Sequence, residues 1–119
     1  MFQEPIPNYF FERAAQAVIA NLPEQVRSRL NGRLERGLAL AIKGAVKPYT
    51  DLSQPHQPDL FQVRSSNQFY PPFFYIVDLE ESTCECPDFQ ENGFDFCKHL
   101  LASLIVVSVK SELIHFQAD

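Results

Sequence analysis

The chain has 119 residues, a length at which a single domain can bury a core of its own. Hydrophobic residues make up 45% of the sequence and charged residues 21%, a globular composition that argues against a disordered chain. The sequence has no apolar run long enough to span a membrane and no signal peptide. We therefore expect an intracellular protein, cytoplasmic or, in a eukaryote, nuclear.

Apolar residues at helical spacing predict helices in the first third of the chain. One helix is expected at residues 9–21. Pro23 suits the start of a second helix, in which apolar residues recur every three or four positions as far as Ala45. The Asn31-Gly32 pair could interrupt this second helix, because both residue types favour turns.

The centre of the chain predicts a small sheet. Three short segments rich in β-branched and aromatic residues, at 46–49, 60–65 and 73–77, are separated by loops and favour an antiparallel meander. Residues 84–96 are polar and are expected to be irregular. Residues 98–113 are apolar on nearly every side, which predicts a helix that is buried on most of its surface.

Metal-ligating residue types are concentrated just before this last helix. A Cys-x-Cys pair is followed, after ten residues, by a Cys-x-His pair, and the four residues are Cys84, Cys86, Cys97 and His99. In an extended backbone, side chains two positions apart point to the same side, so each pair can converge on one ion. Three thiolates and one imidazole form a complete tetrahedral ligand set for zinc, with iron as the weaker alternative. Because four protein ligands leave no position for water, the predicted zinc is structural.

This arrangement resembles the SWIM zinc finger, and the similarity extends beyond the ligands. Residues 86–89 read Cys-Pro-Asp-Phe, as is often seen in the family after the first pair. Residues 97–102 are similar to the second pair of the family and the helix that follows it. The resemblance covers about residues 33–109 and leaves residues 1–32 outside. It implies a zinc module of two strands, a knuckle and a helix, in which the same four residues bind the ion.

Together these features predict an α+β fold with N-terminal helices, a small antiparallel β-meander, a zinc knuckle and a C-terminal helix. We expect an N-terminal helical extension at 1–32 that packs as one domain with a SWIM-type zinc-binding domain at 33–119. SWIM modules occur in chromatin-remodelling-type ATPases, transposase relatives and recombination accessory proteins, where they are proposed to bind DNA or other proteins. These 119 residues contain no ATPase, nuclease or transposase domain, so those activities are not carried over.

Two classes of function fit these observations. The first is a zinc-stabilised adaptor or accessory subunit of a DNA-related complex, which binds a protein partner or a second copy of itself. An aromatic run at residues 69–75 and the apolar last helix favour this interpretation, because exposed apolar surface marks interfaces. The candidate contact residues are Phe73, Tyr75, Val106 and Val107.

The alternative is direct binding of nucleic acid by a basic helix. Residues 25–49 carry six basic residues and one acidic residue. If the second helix continues to Lys47, its basic side chains form a stripe that could follow a phosphate backbone. The stripe consists of Arg29, Arg33, Arg36, Lys43 and Lys47. The overall net charge of −5, with nine acidic and two basic residues at 78–119, weighs against this alternative.

An enzyme is not expected. The sequence has no Ser/His/Asp set, and its four glycines form no phosphate-binding loop. The predicted metal site has no open position for a substrate. We therefore expect no catalytic residue and no small-molecule substrate.

Overall fold

A computed structural model describes residues 6–49, 59–65, 73–92 and 96–118 of the chain. Within these ranges the elements are α1 (Asn8–Ala20), α2 (Glu24–Arg27), α3 (Arg33–Ile42), β1 (Val46–Pro48), β2 (Leu60–Arg64), β3 (Phe74–Asp78), β4 (Thr83–Cys84), α4 (Pro87–Asn92) and α5 (Lys98–Ala118). The predicted α+β class is confirmed, with helices first, a sheet in the middle and a helix at the C-terminal end.

The strands form one antiparallel sheet in the order β1-β2-β3-β4, which confirms the predicted meander. In the register of the sheet, Val63 of β2 faces Val46 of β1 on one side and Tyr75 of β3 on the other. The fourth strand was not predicted. It has two residues and pairs Cys84 with Val77, and a strand of this length is too short to show a periodic pattern.

Helix α5 packs against α1, α3 and all four strands. Its side chains Leu100, Leu101, Ile105 and Val109 are at most 1% exposed, which confirms the expectation of a buried final helix. The same core includes Phe11, Ala14 and Ala15 of α1 and Val63 and Val77 of the sheet. In the described part of the chain, no helix is both long and apolar enough to cross a bilayer.

Helix α3 approaches the first turn of α5 closely at Gly37. A Cβ atom at this position would lie 2.9 Å from the Lys98 carbonyl oxygen and 3.2 Å from the Ala102 amide nitrogen. Both are backbone atoms, which cannot rotate out of the way as the end of a long side chain can. The missing side chain of Gly37 therefore allows α3 to brace the end of α5 where the second ligand pair lies.

The second helix predicted from the sequence is divided into two helices. Helix α2 has four residues, and a turn follows in which Asn31 and Gly32 have φ values of 52° and 81°. Left-handed backbone cannot continue an α-helix, and Asn and Gly are the residues that adopt it most readily. Helix α3 then ends at Ile42, and Lys47 lies on β1. The Asn31-Gly32 pair thus interrupts the helix, and the condition for the basic stripe, a helix that continues to Lys47, is not met.

Candidate metal centre

The four predicted ligands come together between β4 and the start of α5. Their ligand atoms all lie within 4.8 Å of one another, and the four residues are Cys84, Cys86, Cys97 and His99. All four are buried, at 3% exposure or less. With zinc–sulfur distances of about 2.3 Å, two sulfurs of a tetrahedral site lie about 3.8 Å apart. The cluster therefore has both the donor atoms and the size of a site for one zinc ion.

Local structure fixes the first pair of ligands. Cys84 lies at the end of β4, opposite Val77 of β3. The intervening Glu85 is tied to the same strand, since the Ile76 amide donates to Glu85 Oε1 at 3.0 Å. Cys86 immediately precedes α4. Its carbonyl accepts a hydrogen bond from the Gln90 amide at 3.0 Å, which forms the first turn of that helix. The first pair thus spans the join between a strand and a short helix.

The Cys-Pro-Asp-Phe motif has a structural role at each position after the cysteine. Pro87 begins α4, a position where its missing N–H group costs no hydrogen bond. Asp88 forms an ion pair with Arg33 of α3. Phe89 is half-buried and packs against the core. These three residues attach the knuckle to the rest of the molecule.

The second pair of ligands lies at the N-terminal end of α5. The Leu101 amide donates to the Cys97 carbonyl at 3.0 Å, and the Leu100 amide donates to the Cys97 sulfur at 3.5 Å. Backbone amides also donate to the two other sulfurs, the Cys86 amide to Cys84 and the Phe89 amide to Cys86. Each sulfur therefore has a backbone donor that favours the thiolate, the form that binds metal.

The three thiols are also hydrogen-bonded to one another. Bonds from Cys84 and Cys97 hold the pKa of Cys86 far below its ordinary value, because they stabilise its thiolate. The bond to Cys86 raises the pKa of Cys84 far above the ordinary value. For Cys97, the bond with Cys84 lowers the pKa, but the bond with Cys86 and burial raise it to about 11. A divalent cation is needed to stabilise all three as thiolates together.

His99 is the clearest indication that the cluster holds a metal. The side chain is 3% exposed, and within the described residues neither ring nitrogen has a hydrogen-bond partner. Leaving a buried polar group unsatisfied costs about 1–3 kcal/mol. The imidazole is held by Tyr75, whose ring centroid lies 4.9 Å away at an interplanar angle of 49°. Coordination of an ion by one ring nitrogen satisfies one of the two atoms that the protein leaves unpaired.

The residues of the predicted basic stripe do not lie on one helix face. Arg33 is turned towards α4, where its Nε donates to Asp88 Oδ2 at 2.7 Å. The other four, Arg29, Arg36, Lys43 and Lys47, are exposed. They are distributed over two turns, α3 and β1, because the Asn31-Gly32 turn and the end of α3 interrupt the helix.

The predicted contact residues divide between the surface and the core. Phe73 is 57% exposed and Val107 is 38% exposed. Val106 is 2% exposed and belongs to the core, because α5 is covered on that side. Tyr75 points inwards and contacts His99. Phe74, which belongs to the predicted aromatic run, is 45% exposed, and residues 69–72 of that run lie outside the described ranges.

Comparison with known protein families supports the assignment of the site. Residues 75–108 match the family model of the SWIM zinc finger. The matched segment begins on β3, contains all four ligands and ends within α5, which confirms the resemblance and the predicted zinc cofactor. Helices α1, α2 and α3 lie outside it. No curated protein and no solved structure matches the chain.

Proposed function

We propose that this chain, in which residues 75–108 form a SWIM zinc finger, is an accessory subunit that binds a protein partner in a DNA-related complex. The donor set supports a structural zinc, since three sulfurs and one imidazole occupy every position of a tetrahedral ion. A metal held in this way supplies no site for a substrate or an activated water. We therefore also propose that the protein is not an enzyme.

Exposed aromatic side chains at the start of β3 carry this proposal. Phe73 and Phe74 are 57% and 45% exposed. Aromatic residues are enriched in protein interfaces, because burying them removes a large apolar area from water at about 25 cal/mol per Å². Both side chains immediately precede the matched finger. A partner that covers them would therefore dock where the sheet leads into the zinc site.

The test compares two sets of exposed aromatic residues. A double variant, Phe73→Ser with Phe74→Ser, removes the proposed contacts. Tyr9→Ser removes a ring that is 56% exposed on α1 and serves as the matched control. Each of the three chains is used for affinity purification from its own cells, with and without nuclease, and the bound proteins are identified by mass spectrometry.

We expect one partner to survive nuclease treatment with the wild type and with the control, and to be lost with the double variant. All three chains should retain one zinc ion each, which shows that the fold is intact. Equal recovery of the partner by the double variant would contradict the proposed contact surface. Loss of every partner on nuclease treatment would favour the second candidate function.

Direct binding of single-stranded nucleic acid is the second candidate, supported by the face of the sheet that points away from α5. Lys47 is exposed and pairs with Gln62, and Arg64 lies two positions further along β2, on the same face. Arg64 in turn pairs with the exposed Phe74. Cations that contact phosphates beside an aromatic ring that stacks on bases are the usual components of single-strand binding.

This candidate predicts weak binding that falls steeply as salt is raised, because phosphate contacts release counterions. A labelled oligonucleotide should bind the wild type but not a variant with Lys47→Ala and Arg64→Ala. A second variant with Arg27→Ala and Arg36→Ala loses the same charge away from the sheet and should still bind. Equal losses in the two variants, or binding that persists in high salt, would contradict the sheet as the binding surface.

A further inference from the structure

Arg33, the first residue of α3, reaches α4, the short helix that directly follows the ligand Cys86. Its Nε and Nη2 atoms donate to Asp88 Oδ2 and Oδ1 at 2.7 and 2.8 Å. Two parallel charge-assisted bonds fix the orientation of the carboxylate as well as its distance. The side chains are 15% and 27% exposed, so water and salt screen this pair less than an ordinary surface pair.

The other side of the Arg33 guanidinium is fixed as well. Its Nη1 atom donates to the Leu30 carbonyl at 3.1 Å, in the turn that precedes α3. Leu30 is itself buried, at 5% exposure. The guanidinium is therefore anchored to the turn before α3 on one side and to α4 on the other.

The same positive charge lies close to the metal ligands. The bond to Asp88 is the largest reason why the pKa of Arg33 is raised, and the charges of Cys97 and Cys86 raise it further. Three thiolates and a neutral imidazole around Zn²⁺ leave one net negative charge. A fixed cation at this place offsets that charge without occupying a ligand position.

We infer that Arg33 is a positioning residue for the zinc site, and that α3 braces both halves of the site. Through Asp88, Arg33 holds the knuckle that contains Cys86. One turn further on, Gly37 contacts the backbone of Lys98, between the two ligands of the second pair. Because α3 lies outside the matched finger, a helix beyond the finger sets the distance between its two ligand pairs.

The experiment measures zinc affinity in the full chain, by competition with a chromophoric chelator. Arg33→Gln and Asp88→Asn remove each charge while keeping the size of the side chain. Arg36→Gln and Glu91→Gln are the matched controls, since they neutralise exposed residues on the same two helices. Loss of a residue that orients metal ligands weakens binding by about 10- to 100-fold. We expect that loss for Arg33→Gln and Asp88→Asn and a change within about twofold for the controls.

Two further measurements separate positioning from general stability. The double variant Arg33→Gln with Asp88→Asn should bind zinc about as weakly as the weaker single variant, because both changes break one pair. In the cobalt-substituted protein, the ligand-field and thiolate charge-transfer bands should shift in Arg33→Gln but not in Arg36→Gln. If Arg33 had only a structural role, Arg33→Gln would lower the stability of the protein without shifting these bands.

Arg33→Lys keeps the inference testable if the other variants do not fold. Lysine retains the charge but lacks the planar fork, so its zinc affinity should lie between those of the wild type and Arg33→Gln. Wild-type affinity in Arg33→Lys would overturn the inference, as would wild-type affinity in both single charge-neutral variants. The inference would also be overturned if the double variant lost zinc affinity by the sum of the two single losses, expressed as free energies.

Discussion

Two ion pairs join helices in different regions of the molecule, and their surroundings differ. Arg13 of α1 pairs with Glu112 of α5, and these side chains are 62% and 31% exposed. Arg33 of α3 pairs with Asp88 of α4, where the exposures are 15% and 27%. Helix α1 also buries three apolar side chains in the core, whereas none of the described side chains of α4 is buried.

This difference shows that the two regions are stabilised by different interactions. The N-terminal helix is held by apolar burial against α5, and its ion pair adds little to that. Helix α4, in contrast, is held by the metal ligand Cys86 that precedes it, by the bond between Asp88 and Arg33, and by the half-buried Phe89. Removing the metal should therefore loosen the knuckle before it loosens α1.

Loss of the metal should have the largest effect, since a structural zinc contributes on the order of 10 kcal/mol to folding. His99→Ala should release zinc and unfold β4, α4 and the first turns of α5. Metal analysis measures the zinc, and amide hydrogen exchange should show that α1 keeps more protection than the knuckle. Val107→Ala, on the exposed side of the same helix, is the control. A wild-type protein without zinc or iron would contradict this account, and so would a uniform loss of protection.

Two neighbouring valines on α5 should respond very differently to a charge. Val106 is 2% exposed, so Val106→Glu buries an unpaired carboxylate and should cost about 3 kcal/mol or more. Val107 is 38% exposed, and Val107→Glu should change stability by about 0.5 kcal/mol or less. Urea denaturation of the zinc-loaded protein measures both, and equal effects would contradict the orientation of α5. Loss of partner binding in a stable Val107→Glu would extend the contact surface to this helix.

The contact between α3 and α5 can be tested with the glycine at its centre. Gly37→Ala places a methyl group against the Lys98 carbonyl and should destabilise the protein by about 1–3 kcal/mol, despite the better helix propensity of alanine. Gly44→Asn is the control, because Gly44 has open space around it and Asn tolerates its φ of 78°. Urea denaturation should rank the two variants in this order. A stabilised Gly37→Ala would show that the helices are not in close contact.

The smallest effect is expected at the ion pair of α1. Arg13→Ala removes an exposed pair and should cost less than about 1 kcal/mol, with the loss reduced further by salt. It should leave zinc affinity unchanged, in contrast to Arg33→Gln. Thermal unfolding at two salt concentrations gives the first result and chelator competition the second. Weaker zinc binding in Arg13→Ala would show that the two regions are not independent.

The metal site could be identified from the sequence because its information is local. Cys84 and Cys86, like Cys97 and His99, are two positions apart, and both the donor chemistry and this spacing can be read without knowing the fold. The three longer strands were predictable from segments rich in β-branched and aromatic residues, and the final helix from a long apolar pattern. The two-residue strand β4 and the helices α2 and α4, each shorter than two full turns, carry no such signal.

Only the tertiary structure decided the roles of residues whose partners are far away in sequence. In the sequence, Arg33 belongs to the predicted basic stripe. In the structure it pairs with Asp88, 55 positions away, which turns the positive charge of Arg33 towards the zinc site. Val106 and Val107 are identical in type, and only the packing of helices and sheet around α5 makes one of them core and the other surface. Gly37 resembles any helical glycine until the backbone of α5 is placed against it. The sequence therefore determined which residues bind the ion, through local spacing and chemistry, whereas long-range packing decided what holds those residues in place.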